Sequence, residues 1–203
     1  MKIAKAILQL VRFPNLVFIF ITQYAAYTCL IYPTLASLHK EAILQTPRFY
    51  YLLFSTLCIA AAGYIINDYF DIGMDAINKP EKVTIERIFK RRTIIVWHIL
   101  LNILGLVLAA YIALSFLQLR WITIQLLCII ALVVYSTTFK RKLVIGNVLI
   151  ASLSALAMLT LVWYEPNFPL LTTQLELVHY FWFYTGFAFF ITLLREIVKD
   201  MED

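Results

Sequence analysis

The sequence predicts an all-α, polytopic transmembrane helical bundle, and three observations carry that expectation. First, 63% of the 203 residues are hydrophobic, 14% are charged, and the mean hydropathy is +0.84. A soluble domain carries about 25% charged residues, so this surface is too apolar to face water all round. Second, six apolar runs, at 14–36, 49–66, 94–117, 121–138, 146–164 and 178–198, approach the roughly 20 residues a helix needs to cross a bilayer. Third, no run shows the strict alternation of a barrel strand. Lipid offers no water to backbone groups, so helices are the expected form.

The first run follows Lys2, Lys5 and Arg12. It is too long for a signal peptide and has no small-residue cleavage site, so it is read as a structural helix, rich in Tyr24, Tyr27 and Tyr32. The second run ends in acidic residues, the third begins after Lys90-Arg91-Arg92, and the fourth ends at Lys140-Arg141-Lys142. The fifth has neither sign of charge inside it, and the sixth ends in a mixed acidic and basic stretch. Alternating the six crossings puts Lys2, Lys5, Arg12, Lys79, Lys82, Arg87, Lys90, Arg91, Arg92, Lys140, Arg141, Lys142, Arg195 and Lys199 on one side. Only Lys40, Arg48 and Arg120 fall on the other. The positive-inside rule makes the first side cytoplasmic, with the N-terminus inside. Topology thus accounts for the net charge of +5, and no nucleic-acid partner is expected. Cys29, Cys58 and Cys128 sit singly in apolar runs, and His39, His98 and His179 are scattered. Neither disulfides nor a zinc site follow from such spacing.

The carboxylates are more informative, because nine of the twelve share the lysine-rich side. Asp68, Asp71 and Asp75 are spaced i, i+3, i+7, one face of a continuing helix, with Asn67 near that face. Glu196, Asp200 and Asp203, spaced i, i+4, i+7, form a second such face. Like charges this close repel, and near a membrane they cost more, so the clustering fits a divalent cation held between them. Only hard oxygen donors are present, which favours magnesium or manganese over zinc or copper, and magnesium commonly combines one or two carboxylates with substrate phosphates. A solvated helix cap explains one isolated Asp but poorly explains two same-side patches. Asp71-Ile72-Gly73-Met74-Asp75 also lacks the alternating ligands and terminal Glu of a calcium loop.

Asn67-Asp68-Tyr69-Phe70-Asp71 running on to Asp75, followed by Ile77-Asn78-Lys79-Pro80, resembles the first aspartate-rich motif of the UbiA superfamily of intramembrane prenyltransferases. Arg195-Glu196-Ile197-Val198-Lys199-Asp200-Met201-Glu202-Asp203 resembles the start of that family's second motif. The resemblance spans the chain, 1–203, as a single domain, and implies a fold of nine helices around a central cavity. Six are counted here, so the family's C-terminal third is expected to be absent. Where many members carry Arg-Pro after the first motif, this chain has Lys82-Val83.

The resemblance implies an enzyme that moves a prenyl group from a prenyl diphosphate to a lipophilic acceptor inside the membrane, with Mg2+ assisting loss of diphosphate. It implies metal ligation by Asn67, Asp68, Asp71, Asp75, Asp200 and Asp203, with Asp68, Asp71 and Asp200 catalytic. Tyr135, Lys140 and Arg141 resemble the family's diphosphate-contacting element, and Arg12 with Asn15 matches an Arg-x-x-Asn element; with Asn67 these are the expected substrate contacts. Ordinary positive-inside anchoring also accounts for Lys140 and Arg141, and a helix start for Asn15 after Pro14. The motifs most resemble bacterial relatives of geranylgeranylglyceryl phosphate geranylgeranyltransferases, so a glycerol-phosphate lipid is the favoured acceptor and an aromatic quinone precursor the alternative. The implied location is the bacterial inner membrane, multi-pass, with both motifs cytoplasmic. A CDP-alcohol phosphotransferase fits less well, lacking Asp-Gly and Ala-Arg beside Asp71. A cation transporter fits less well too, because its carboxylates would lie in mid-membrane. Gly63 and Gly105 are read as helix-packing positions.

Overall fold

The computed structural model describes residues 2–78, 89–140, 142–169 and 176–202, leaving aside the side chains of Lys2, 72–78, Leu143 and Glu202. Among the described residues there are helices and no β-strand. The order is α1 (Lys2–Leu10), α2 (Phe13–Ala25), α3 (Tyr32–Ser37), α4 (Arg48–Asn78), α5 (Arg91–Ser115), α6 (Thr123–Val134), α7 (Leu143–Trp163) and α8 (Glu176–Glu202). π-helical segments Ala26–Ile31 and Tyr135–Phe139 follow α2 and α6, and a 3-10 turn, Leu119–Ile122, precedes α6. Among the described residues six spans are long and apolar enough to cross a membrane: Phe13–Ser37, Arg48–Asp71, Arg91–Ser115, Leu119–Phe139, Val144–Trp163 and Glu176–Met201. They coincide with the six runs expected from sequence.

The short α1 was not expected as a separate element. It is amphipathic, and it buries Ala6 and Leu10 while leaving Ile3 and Leu8 exposed. Leu10 packs with Ile65 and Ile94. The chain turns from α1 into α2 at Arg12, whose φ of 50° and ψ of 55° are left-handed, and Pro14 then starts α2.

The most extensive pairing is α4 with α5, and small residues let the two helices approach closely. A Cβ on Gly105 would lie 3.1 Å from the Ser55 carbonyl oxygen, and Ser55 Oγ donates to the Gly105 carbonyl at 2.7 Å. A Cβ on Gly63 would meet Leu132 of α6 at 2.8 Å. Both glycines therefore allow close approach of crossing helices, as read from the sequence. Large side chains such as Leu100, Ile103 and Val107 on α5, and Phe183, Phe187 and Phe190 on α8, are exposed. Such a rim suits lipid.

The larger core lies toward the end of the bundle opposite α1. It centres on Leu44, Phe49, Leu52, Trp121, Tyr164 and Phe181. Glu165, fully buried there, accepts from the Ile43 amide at 2.9 and 3.0 Å and the Leu44 amide at 2.9 Å. Burial raises its pKa, and the two amides oppose that rise. Tyr27 donates to the Leu44 carbonyl, and Asn167 Nδ2 to the Glu41 carbonyl at 3.0 Å. One carboxylate thus ties the loop after α3 to the turn after α7.

Candidate active site

At the other end, charged side chains that are far apart in sequence meet. Asn67, Asp68 and Asp71 project from the last turns of α4 that lie within its membrane span. The i, i+4 spacing of Asn67 and Asp71 brings Asn67 Nδ2 to Asp71 Oδ2 at 3.2 Å. Lys140, just beyond the π-helical segment, donates to the same Asp71 oxygen. Arg12 reaches Asp68 Oδ1 at 3.1 Å and lies over the Tyr64 ring at 5.2 Å. Asn15, one turn into α2, sits beside the Tyr64 hydroxyl. Asp200 of α8 accepts from Asn147 Nδ2 of α7 at 2.7 Å, and Lys199 pairs with Glu196 at 3.3 Å. Tyr135 is buried between the two acidic patches, within electrostatic reach of Arg12, Asp71, Glu196 and Asp200.

The structure therefore gathers Arg12, Asn15, Asn67, Asp68, Asp71, Tyr135, Lys140 and Asp200 at one end of the bundle. Arg141 and Asp203 lie outside the described residues, as does the side chain of Asp75. So do Lys79 and Lys82. Sequence reasoning missed Asn147, Gly146 and Tyr64. Asn147 had a signal, being an amide near the start of an otherwise apolar run. Gly146 had none, since its role depends on what it touches. A Cβ there would stand 2.7 Å from the Phe139 carbonyl oxygen and 3.5 Å from the Tyr135 ring.

The donors fit a hard divalent cation in chemistry. Asn67 is buried, and its Oδ1 has no hydrogen-bond partner. A buried oxygen without a partner is costly, and a hard cation would satisfy it beside the Asp71 carboxylate. Among the described residues, however, no three His, Cys, Asp or Glu side chains converge closely enough to form a metal cluster. Asp68 and Asp71 are paired instead with Arg12 and Lys140. Guanidinium and ammonium groups are also the kind that bind phosphate oxygens.

Residues 16–203 match the UbiA prenyltransferase family. Over 207 residues the chain is 32% identical to the digeranylgeranylglyceryl phosphate synthase of Sulfolobus acidocaldarius, covering 98% of this chain and 64% of that protein. The synthase of the same name from Sulfurisphaera tokodaii is 35% identical over 150 residues, 71% of this chain and 48% of its own. A solved structure concerned with digeranylgeranylglyceryl phosphate synthase in membranes superimposes with a TM-score of 0.67 at 25% identity, over 100% of this chain and 64% of that one. The chain thus spans about half to two thirds of the length of the relatives it matches.

Proposed function

The chain belongs to the UbiA prenyltransferase family and is an integral membrane protein, and from that premise we propose that it transfers a prenyl group from a prenyl diphosphate to a lipophilic acceptor. The observation that supports this best is the meeting of carboxylates and cations at one end of an otherwise apolar bundle: Arg12 with Asp68, and Lys140 with Asp71. A molecule with a diphosphate head and an isoprenoid tail matches that division.

In the proposed reaction the allylic carbon–oxygen bond to the diphosphate breaks, and the electron pair leaves with the diphosphate oxygen. The carbon, developing positive charge, forms its new bond to the acceptor's nucleophilic oxygen, whose proton is lost to water or to the departing diphosphate. Magnesium, when bound, would make diphosphate a better leaving group by neutralising its charge. Asn67 Oδ1 with Asp68, Asp71 and Asp200 would hold it, and Asp75 and Asp203 complete the proposed ligand set. Arg12 and Lys140 neutralise the carboxylates beside them and, with Arg141, bind diphosphate oxygens. Tyr135 stands against the head group, and its ring face suits developing positive charge. The apolar interior keeps water from the reacting carbon.

The relatives' name supports a glycerol-phosphate lipid carrying one isoprenoid chain as the acceptor. An aromatic quinone precursor is the competing acceptor within the same family. The lysine and arginine distribution supports placing this end at the cytoplasmic face, and the membrane proposed is a bacterial inner membrane.

The test is a transfer assay on the chain in membranes, offering geranylgeranyl diphosphate and Mg2+ with each acceptor in turn. We expect labelled lipid from geranylgeranylglyceryl phosphate, abolished by EDTA and by Asp71→Ala. Transfer only to the aromatic acceptor would replace the substrate. If no diphosphate is released from any prenyl donor, the catalytic reading fails.

A further inference from the structure

The two acidic patches are held in different ways. Asp68 and Asp71 each meet a cation, Arg12 and Lys140. The partner of Asp200 is a neutral amide, Asn147 Nδ2, at 2.7 Å. An amide donor fixes a carboxylate without neutralising it. Among the described residues the bond occupies Oδ2 and leaves Oδ1 without a hydrogen bond.

Asn147 is itself fixed. It is buried in the second turn of α7, 9% exposed. Its neighbour Gly146 donates its amide to the Lys142 carbonyl at 2.9 Å and packs so closely on the Phe139 carbonyl that a side chain would collide. The start of α7 is therefore pressed against the π-helical segment that carries Tyr135 and leads to Lys140. Within eight residues the chain reaches both patches, touching Asp71 through Lys140 and Asp200 through Asn147. An amide serving only to glue two helices would need no carboxylate partner, since any carbonyl or hydroxyl across the interface would do.

We propose that Asn147 is a positioning residue that holds Asp200 with one oxygen directed to the cation of the prenyl-transfer site. This rests on the function proposed above. Residues that orient ligands in this way typically change metal affinity by about 10- to 100-fold when removed.

The test compares the unaltered chain with Asn147→Leu, which keeps size and removes the donor, and Asn147→Gln, which keeps the amide on a longer stem. Mn2+ alone is titrated against the purified protein, with free Mn2+ read by electron paramagnetic resonance. Thermal unfolding is followed in EDTA, and prenyl transfer is followed against Mn2+ concentration. We expect Asn147→Leu to raise the half-saturating Mn2+ concentration about tenfold. Its unfolding temperature in EDTA should stay unchanged, and transfer should recover at high Mn2+. Asn147→Gln should restore part of the affinity. Equal Mn2+ affinity in the Leu variant would overturn the proposal. So would lost transfer that no Mn2+ concentration restores, accompanied by a lower unfolding temperature in EDTA. If the unaltered chain neither binds Mn2+ nor releases diphosphate, the underlying function falls, and that result is distinct from a failure confined to Asn147.

Discussion

Arg12 reaches Asp68 from a backbone conformation that few side chains adopt. Its φ of 50° costs roughly 1–2 kcal/mol for an L-residue with a Cβ. Glycine would be the cheaper residue for the turn from α1 to α2, and the proposed site gives the arginine's guanidinium a use there. Arg12→Gly should relieve that strain and leave thermal unfolding within about 1 kcal/mol of the unaltered chain, while prenyl transfer falls at least tenfold. A variant that keeps full transfer would remove Arg12 from the site. Lys140 makes a complementary case, because it serves Asp71 in the resting protein and the diphosphate in the proposed complex. Lys140→Gln should raise KM for the prenyl diphosphate about tenfold or more, measured at saturating acceptor; an unchanged KM would leave Lys140 as a topological anchor. At this scale the sequence was legible where spacing carried meaning. Asp68 and Asp71 announce one helical face, but nothing in the string shows that Asp200 turns toward Asn147, because that pairing depends on how α7 and α8 pack.

The elements put the two ends of the bundle under different chemistry. At the start of α7, Gly146 lets the helix abut the Phe139 carbonyl. Gly146→Ala should destabilise the protein by about 1–3 kcal/mol through overpacking, and transfer should fall with it because Tyr135 and Asn147 move together. Chemical denaturation beside the transfer assay checks both. At the opposite end, Glu165 ties two loops through the Ile43 and Leu44 amides. Burial raises its folded-state pKa, so the folded protein holds this proton more tightly than the unfolded chain does. The stability from this group is therefore full below about pH 4.3 and declines as pH rises through the raised folded value. Glu165→Gln should flatten that decline, and the unfolding temperatures of the two proteins across pH 4 to 8 measure it. A parallel pair of curves would show that Glu165 does not titrate on unfolding. The sequence offered no hint of this tie. Glu165 reads as a lone loop acid until the fold brings the residue 43–44 backbone against it.

For the whole molecule, the crossings follow directly from composition, because a run of about 20 apolar residues has one stable form in lipid. What composition does not mark is interruption. The π-helical segments at Ala26–Ile31 and Tyr135–Phe139 lie inside apolar spans, with Thr28 in the first and Ser136, Thr137 and Thr138 in the second, and hydropathy is blind to hydrogen-bond register. The short α1 was hidden for a related reason: its lysines were counted as flank, although Ala6 and Leu10 bury a face of their own. Orientation belongs to this scale as well. In a chain freed of Cys29, Cys58 and Cys128, Lys142→Cys should react with a membrane-impermeant thiol reagent only from the cytoplasmic side, and Lys40→Cys only from the other. The reverse pattern would invert the proposed topology.

The charged residues gathered at one end of the bundle, with phenylalanine and leucine lining its flanks, place the proposed reaction on a phase boundary. The two things that leave such a site differ in solubility. In the proposed reaction diphosphate would leave from the end of the bundle into water, and the prenylated lipid would stay in the bilayer at its flanks. Dilution of one product into the aqueous phase and of the other into the bilayer would then make the reverse encounter rare.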